Sequence, residues 1–279
     1  MSLTRIAMKD LRDTSRSRML GVVVVLYVLF TAGVAYIYTL IPEIGPGTGE
    51  LSLELISFLG TPIGLFVPII GLMLGFNAIS GELESGSIKL LLSEPHKRSD
   101  VVFGKFVGRF VVMTIATLLG FIAALGIVLA LYAELSPVVY VEYVLLTVLF
   151  GGVYVSLGIA VSSLTRSKTK ATAGVVGLFV VLNWGWGLIG IGLHWIIEGT
   201  PFSMGAQPDW YQLFSQASPG GAFSRVSTAM LDLQGPAQQF AVTADDPWFL
   251  QWYVAVVVLF VWMIVPLAIG YLRFQSMDI

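Results

Sequence analysis

Six stretches of about twenty mostly apolar residues dominate this 279-residue chain: Met19–Ile41, Phe58–Ile79, Phe110–Tyr132, Tyr143–Leu164, Ala171–Ile197 and Phe249–Leu272. A bilayer core of ~30 Å is crossed by about 20 residues of helix. With no water there to satisfy the backbone, such stretches fold as membrane-spanning helices. Charged residues make up 11% of the chain, against about 25% in a soluble domain, which excludes a single water-soluble globule. A hydrophobic content of 56% with a net charge of −2 excludes intrinsic disorder. The reading is an all-α membrane protein with six transmembrane helices, residues 1–279 forming one domain. The first stretch runs well past the apolar core of a signal peptide and lacks an A-x-A cleavage spacing, so it is read as a retained span.

Charge orients the bundle. Fourteen of the fifteen basic residues fall in the N-terminal arm (Arg5 to Arg18), the segment after span two with the foot of span three (Lys89 to Arg109), the loop after span four (Arg166, Lys168, Lys170) and the C-terminus (Arg273). Only Arg225 falls on the other side. Cytoplasmic loops carry the excess of Lys and Arg, so both termini are expected in the cytoplasm and the protein in the cell membrane. The opposite face carries ten acids against that one base, a pattern that suits solubility and also attracts cations. A sequence pI near 5.7 argues against nucleic acid as a partner.

Three pieces outside the spans stand out. Residues 2–16 place Leu3, Ile6, Ala7 and Leu11 at helical spacing among charges, an interfacial amphipathic helix. Residues 198–250 form an extracytoplasmic loop cut by Pro201, Pro208, Pro219, Pro236 and Pro247. Within it Phe223, Val226, Met230 and Leu233 predict one short helix on the outer face or capping the bundle, beside a girdle of Trp210, Tyr211, Trp248, Trp252 and Tyr253. Residues 80–100, SGELESGSIKLLLSEPHKRSD, put Glu82 and Glu84 in a first helical turn. Gly86 follows, then Ile88 with Leu90, Leu91 and Leu92, and Pro95 ends the run. Four large apolar residues in a water-facing loop need a partner surface, either the bilayer interface or a soluble protein beneath it. Inside the bundle, Gly60/Gly64, Gly71/Gly75 and Gly104/Gly108 are spaced for close helix packing.

The missing chemistry narrows the function. There is no cysteine, hence no disulfide and no thiolate site. His96 and His194 lie in no HExxH, no G-x-S-x-G occurs, and no phosphate-binding G-x-x-x-x-G-K-[ST] loop is present. No catalytic residue, metal site or cofactor is expected. No Asp, Glu, Lys or Arg lies near the middle of a span, whereas ion-coupled transporters usually carry ionisable groups at that depth. Asn77, Ser156, Ser162, Ser163 and Asn183 are the best interior polar groups, and backbone carbonyls at broken helices remain open as a Na⁺ site. A bundle without its own energy source that projects an amphipathic segment reads as one driven by a docked soluble motor. An ion-coupled or passive transporter and a membrane enzyme or assembly factor are the alternatives.

On KDLRDTSRSR (Lys9–Arg18), six spans with both ends inside, SGELESGSIKLLLSEPHKRSDVVFGKFVGR (Ser80–Arg109), SPGGAF (Ser218–Phe223) and the terminal GYLRFQ, the chain resembles the membrane subunit of an ABC-2 type exporter. That family commonly reads E-x-E-x-G, apolar residues and Pro after its second helix, matched here by Glu82, Glu84, Gly86, Leu90–Leu92 and Pro95; Leu83 stands where the family often has Arg. The resemblance implies a coupling helix that inserts into a groove of an ATP-binding partner through Glu82, Leu83, Glu84, Gly86, Ile88, Lys89 and Leu91. It further implies two P-loop ATPase chains, a second permease subunit (the same chain or a paralogue), and motion of spans two and five at the dimer interface. Asn77, Asn183, Trp184 and Trp186 are the candidate path-lining residues. Among relatives it looks most like single-domain permeases linked to copper handling for nitrous oxide reductase, or to sodium and drug efflux.

Overall fold

The computed structural model describes residues 3–38, 40, 58–86, 98–131, 136–201, 207–231 and 246–277. Six helices in it are long and apolar enough to cross a membrane: Arg18–Ile37, Gly60–Ser85, Arg98–Ala130, Pro137–Ser163, Lys168–Glu198 and Trp252–Gln275. They match the six apolar stretches in order. The third is longer than its apolar core because the helix starts at Arg98 and carries Lys105 and Arg109 on its first turns. No strand occurs among the described residues.

The fourth span is the axis of the bundle. It packs against spans two, three and six, and 72% of its apolar window is buried, against 17% for span five. Glycine makes the closest of these contacts possible. A Cβ at Gly158 of span four would lie 2.6 Å from the Gly75 Cα of span two, one at Gly71 2.6 Å from the Tyr154 Cβ, and one at Gly75 would collide with the Gly158 backbone. Small residues are what let helix backbones touch where lipid supplies no hydrophobic drive. Gly64 of span two has open space instead, and Gly60 meets only the Tyr143 hydroxyl. Pro62 lies in the first turn of its helix and Pro68 in the interior; only the interior proline removes an intrahelical hydrogen bond.

The interior serines bond backbone groups, in part across spans. Ser156 Oγ donates to the Met263 carbonyl of span six at 2.5 Å, and Ser163 Oγ bonds the Ala160 carbonyl of its own helix. An aromatic cluster of Phe121, Tyr140, Tyr143, Phe150 and Tyr154 fills the upper core. Phe223 joins it from outside the spans, stacked on Phe150 at 4.5 Å. The helix Pro219–Leu231 thus caps the bundle, with Val226 fully buried; Leu233 lies outside the described residues. Ser218 Oγ accepts the Gly221 N–H at 2.9 Å, a side-chain N-cap, and a Cβ at Gly221 would strike the Ser215 carbonyl.

A second cap helix, Asp209–Gln216, was not expected from the proline-broken sequence. Arg225, 6% exposed, staples this cap. It donates to the Leu250 carbonyl and Gln212 Oε1, both at 2.8 Å, and to Asp246 at 3.3 Å. Burial pushes its pKa down, and Asp246 opposes that shift.

Candidate functional site: a charged joint at the basic end

Span two ends in a short helix, Ser80–Ser85, closed by Gly86 at φ +73°. This left-handed conformation suits glycine and strains other residues. Three different spans hold the little helix. At its start, Ser162 Oγ of span four accepts the N–H groups of Ile79 and Ser80, both at 3.0 Å, satisfying donors that a helix start leaves orphaned. One turn on, Glu82 Oε1 receives Lys105 Nζ of span three at 2.6 Å. Glu84 Oε2 then accepts the backbone N–H of Lys168, the first residue of span five, at 2.5 Å. Leu83 between them packs on the core.

The Lys105 contact opens into a larger network. Lys105 Nζ also lies 3.4 Å from Asp10 Oδ1, and Arg109 grips the same carboxylate through Nε at 3.1 Å and a terminal nitrogen at 3.3 Å. The other terminal nitrogen of Arg109 donates to the Leu74 carbonyl, near the end of the helix Gly60–Gly75, where carbonyls lack intrahelical partners. Asp10, Lys105 and Arg109 are each more than nine-tenths buried. One buried acid and two buried bases are thus balanced by the half-buried Glu82, the pairing under which buried charges are tolerated.

Asp10 belongs to the N-terminal helix, Leu3–Ser15, which docks on the foot of span three. Ile6 and Ala7 are buried there, and a Cβ at Gly108 would come within 2.7 Å of the Ala7 carbonyl. The amphipathic helix expected to anchor in the interface is thus built into the joint. The chain's other end arrives at the same place. Arg98 donates to the carbonyls of Phe274, Gln275 and Met277 at 3.0, 2.7 and 2.8 Å and sits over the Phe274 ring, a cation at a helix C-terminus.

Asn77 and Glu82 border a cavity of about 770 Å³ beside this network, along with Asp10, Lys105, Arg109 and Lys168. Asn77 Oδ1 and Glu82 Oε2 are buried there without a partner among the described residues. Among the described residues no three His, Asp or Glu side chains converge on a metal position; the chemistry of the joint is charge pairing and helix capping.

The candidate path residues do not gather in one place. Asn183 and Trp186 share a cleft of about 500 Å³ in the opposite half of the bundle with Gly60, Thr61 and Gly64 of span two, Tyr143, and serines of the cap helices. This explains the open space at Gly64: it lines a cleft. Trp186 Nε1 donates to the Phe214 carbonyl at 2.9 Å and its ring stacks on Phe214. Asn77 lies at the basic end. Trp184 is 57% exposed on the bundle's outer surface, edge-on to Phe179. Span five is wound as a wider π-helical turn from Val181 to Gly185, where Asn183 Nδ2 donates to the Phe179 carbonyl at 3.1 Å. Such turns mark functional points in helices.

Of the expected motor-contact residues, the structure brings Glu82, Leu83 and Glu84 together on one short helix with Gly86 as its cap; Ile88, Lys89 and Leu91, with Leu90, Leu92 and Pro95, lie outside the described residues. Sequence reasoning missed the roles of Asp10, Arg98, Ser162 and Lys168. One signal was present: Asp10 falls three and four residues after Ala7 and Ile6, on the apolar face of its helix, while Lys105 and Arg109 repeat at i, i+4.

Comparison with known proteins agrees with this architecture. Residues 4–279 match the model of the ABC-2 family transporter proteins. Two relatives are each described as a probable ABC transporter permease protein NosY. The one from Pseudomonas aeruginosa is 31% identical over 179 residues, 62% of this chain and 64% of the relative. The one from Stutzerimonas stutzeri is 28% identical over 249 residues, 83% of this chain and 88% of the relative. The family match runs along nearly the whole chain, takes in all six spans and both sides of the joint, and identifies the chain as a member of the ABC-2 family of membrane transporter proteins.

Proposed function

We propose that the chain is the membrane-spanning permease subunit of an ATP-driven ABC-2 type exporter, powered by a separate P-loop ATP-binding subunit. It works in the cell membrane with both termini in the cytoplasm, beside a second permease subunit (another copy or a paralogue) and above two ATPase chains. The observation that carries the reading is the short helix Ser80–Ser85, fastened at one end of the bundle to spans three, four and five together. A push on that helix reaches most of the bundle at once.

In this proposal the motor engages Glu82, Leu83, Glu84, Gly86, Ile88, Lys89 and Leu91. Because Glu82 and Glu84 are bonded to neighbouring spans, they hand on load delivered at Gly86 and beyond. The concentration of basic residues at this end supports its cytoplasmic placement. The cleft containing Asn183 and Trp186 is the substrate-facing candidate in the outer half, Asn77 the polar group at the cytoplasmic mouth, and Trp184 the lipid- or partner-facing member of the set.

Co-purification tests the reading. The detergent-solubilised chain is expected to carry a P-loop subunit through two affinity steps, and Leu91→Asp or Gly86→Pro to release it. Proline fixes φ near −65°, irreconcilable with φ +73° at residue 86. Substrate transport by the purified chain alone, driven by an ion gradient, would overturn it.

A further inference from the structure

We infer that Glu84 is the positioning residue that passes motion of the Ser80–Ser85 helix to span five, and that the π-helical turn Val181–Gly185 is the hinge on which the lower half of span five swings. The inference rests on the proposed function and assigns the route by which the motor reaches the cleft.

Three observations meet. First, span five is weakly held by the apolar core along its length: Lys168–Val180 buries only Ala171 and Val175, and Trp186–Glu198 only Gly190 and His194, so what each end is bonded to decides which body it follows. Second, Glu84 bonds the first backbone N–H of the lower half at 2.5 Å, where the positive end of the helix dipole strengthens a carboxylate contact. Third, the upper half is fastened to the cap. Trp186 bonds the Phe214 carbonyl, Trp210 Nε1 donates to Glu198 at 3.1 Å, and the buried His194 ring meets the Tyr211 ring edge-on at 5.4 Å. Between a lower half bonded to the Ser80–Ser85 helix and an upper half bonded to the cap stands the π-helical turn of irregular hydrogen bonding, with Gly185 at its end. Asn183, in that turn, lines the cleft. Bending there reshapes the cleft wall without moving the cap.

The chain contains no cysteine, so spin labels can be placed at will on the intact permease–ATPase complex in lipid nanodiscs. One pair, Val107→Cys with Thr172→Cys, reports on the lower half; a second, Leu129→Cys with Ile196→Cys, reports on the upper half. All four positions are surface-exposed. Distances are measured by double electron–electron resonance before and after trapping with ATP and vanadate.

A shift of ~2 Å or more, the scale of helix movements in switching proteins, is expected in the lower pair, with a smaller one in the upper pair. Glu84→Ala should reduce the lower shift to roughly half or less, and Glu84→Gln, whose amide oxygen still accepts the N–H, should retain it. Lys168→Pro keeps Glu84 and removes only the donor, at a first helical position that accepts proline after a Ser167 already in extended conformation. It should match Glu84→Ala, while Lys168→Ala behaves as wild type.

An unchanged lower shift in a Glu84→Ala or Lys168→Pro complex that still traps nucleotide overturns the inference, as does equal movement of both pairs. Failure of any P-loop subunit to accompany the wild-type chain overturns the proposed function itself, a distinguishable result.

Discussion

Replacing Asp10 with alanine removes the carboxylate shared by Lys105 and Arg109 while leaving both cations buried. The structure sets the size of the effect. The variant loses the 3.4 Å contact to Lys105 and both Arg109 contacts, at 3.1 and 3.3 Å. Removing one partner of a buried pair costs about 3–5 kcal/mol. Here Lys105 keeps Glu82 at 2.6 Å and Arg109 keeps the Leu74 carbonyl, which places the expectation near the lower end, about 3 kcal/mol.

The N-terminal helix is held largely by this face, so the loss should appear as local undocking rather than global unfolding. Hydrogen exchange by mass spectrometry in detergent reads it directly: about 3 kcal/mol corresponds to roughly 150-fold faster exchange of the amides near Asp10. The double variant Asp10→Ala/Arg109→Met should recover part of the protection, because it removes the stranded charge. Raising salt from 0.1 to 1 M should change the wild type little, since buried pairs are poorly screened. Exchange within about fivefold of wild type (roughly 1 kcal/mol), or a double variant as loose as the sum of the singles, would refute the argument that these charges hold the helix in place.

The same geometry makes other tests. Gly75→Ala forces a methyl onto the Gly158 backbone and should cost at least about 2–3 kcal/mol, whereas Gly64→Ala, with open space around it, should be neutral or slightly stabilising; thermal unfolding in detergent separates them. Ser162→Ala strands the N–H groups of Ile79 and Ser80 and should cost about 2 kcal/mol, with faster exchange confined to residues 79–83. Arg225→Met removes the bonds from Arg225 to Gln212, Asp246 and the Leu250 carbonyl and should loosen the cap by about 2–3 kcal/mol, read as increased protease cleavage between residues 207 and 231.

What was legible in the sequence follows from what lipid demands. Six spans could be read because a membrane helix must be apolar along its whole length, and the Gly71/Gly75 spacing could be read because close packing in lipid needs small residues. The same spacing at Gly60/Gly64 misled, since glycine marks equally a tight contact and an open cleft. The helix at Asp209–Gln216 was hidden because eight residues among prolines carry too little periodicity. The joint was half visible: the acidic pair, Gly86 and the basic foot of span three stood out, but the partner of Lys105 and Arg109 sits 95 and 99 residues away at Asp10, and only tertiary packing brings the N-terminal helix onto Gly108. Likewise, Asn183 stood out as an interior polar group of span five without showing the π-helical turn. Asn77, Asn183, Trp184 and Trp186 shared polarity and a membrane location, properties that do not place side chains on one wall.

A photo-crosslinking residue at Leu91, with a control at Val138 on the far end of the bundle, tests most directly whether this end of the molecule is the handle of a motor. Membranes carrying the tagged chain are irradiated and the adducts identified by mass spectrometry. The account predicts an adduct between position 91 and a P-loop subunit, none from position 138, and its loss in Gly86→Pro. Adducts from position 91 exclusively with lipid, in membranes where the chain is active, would contradict it.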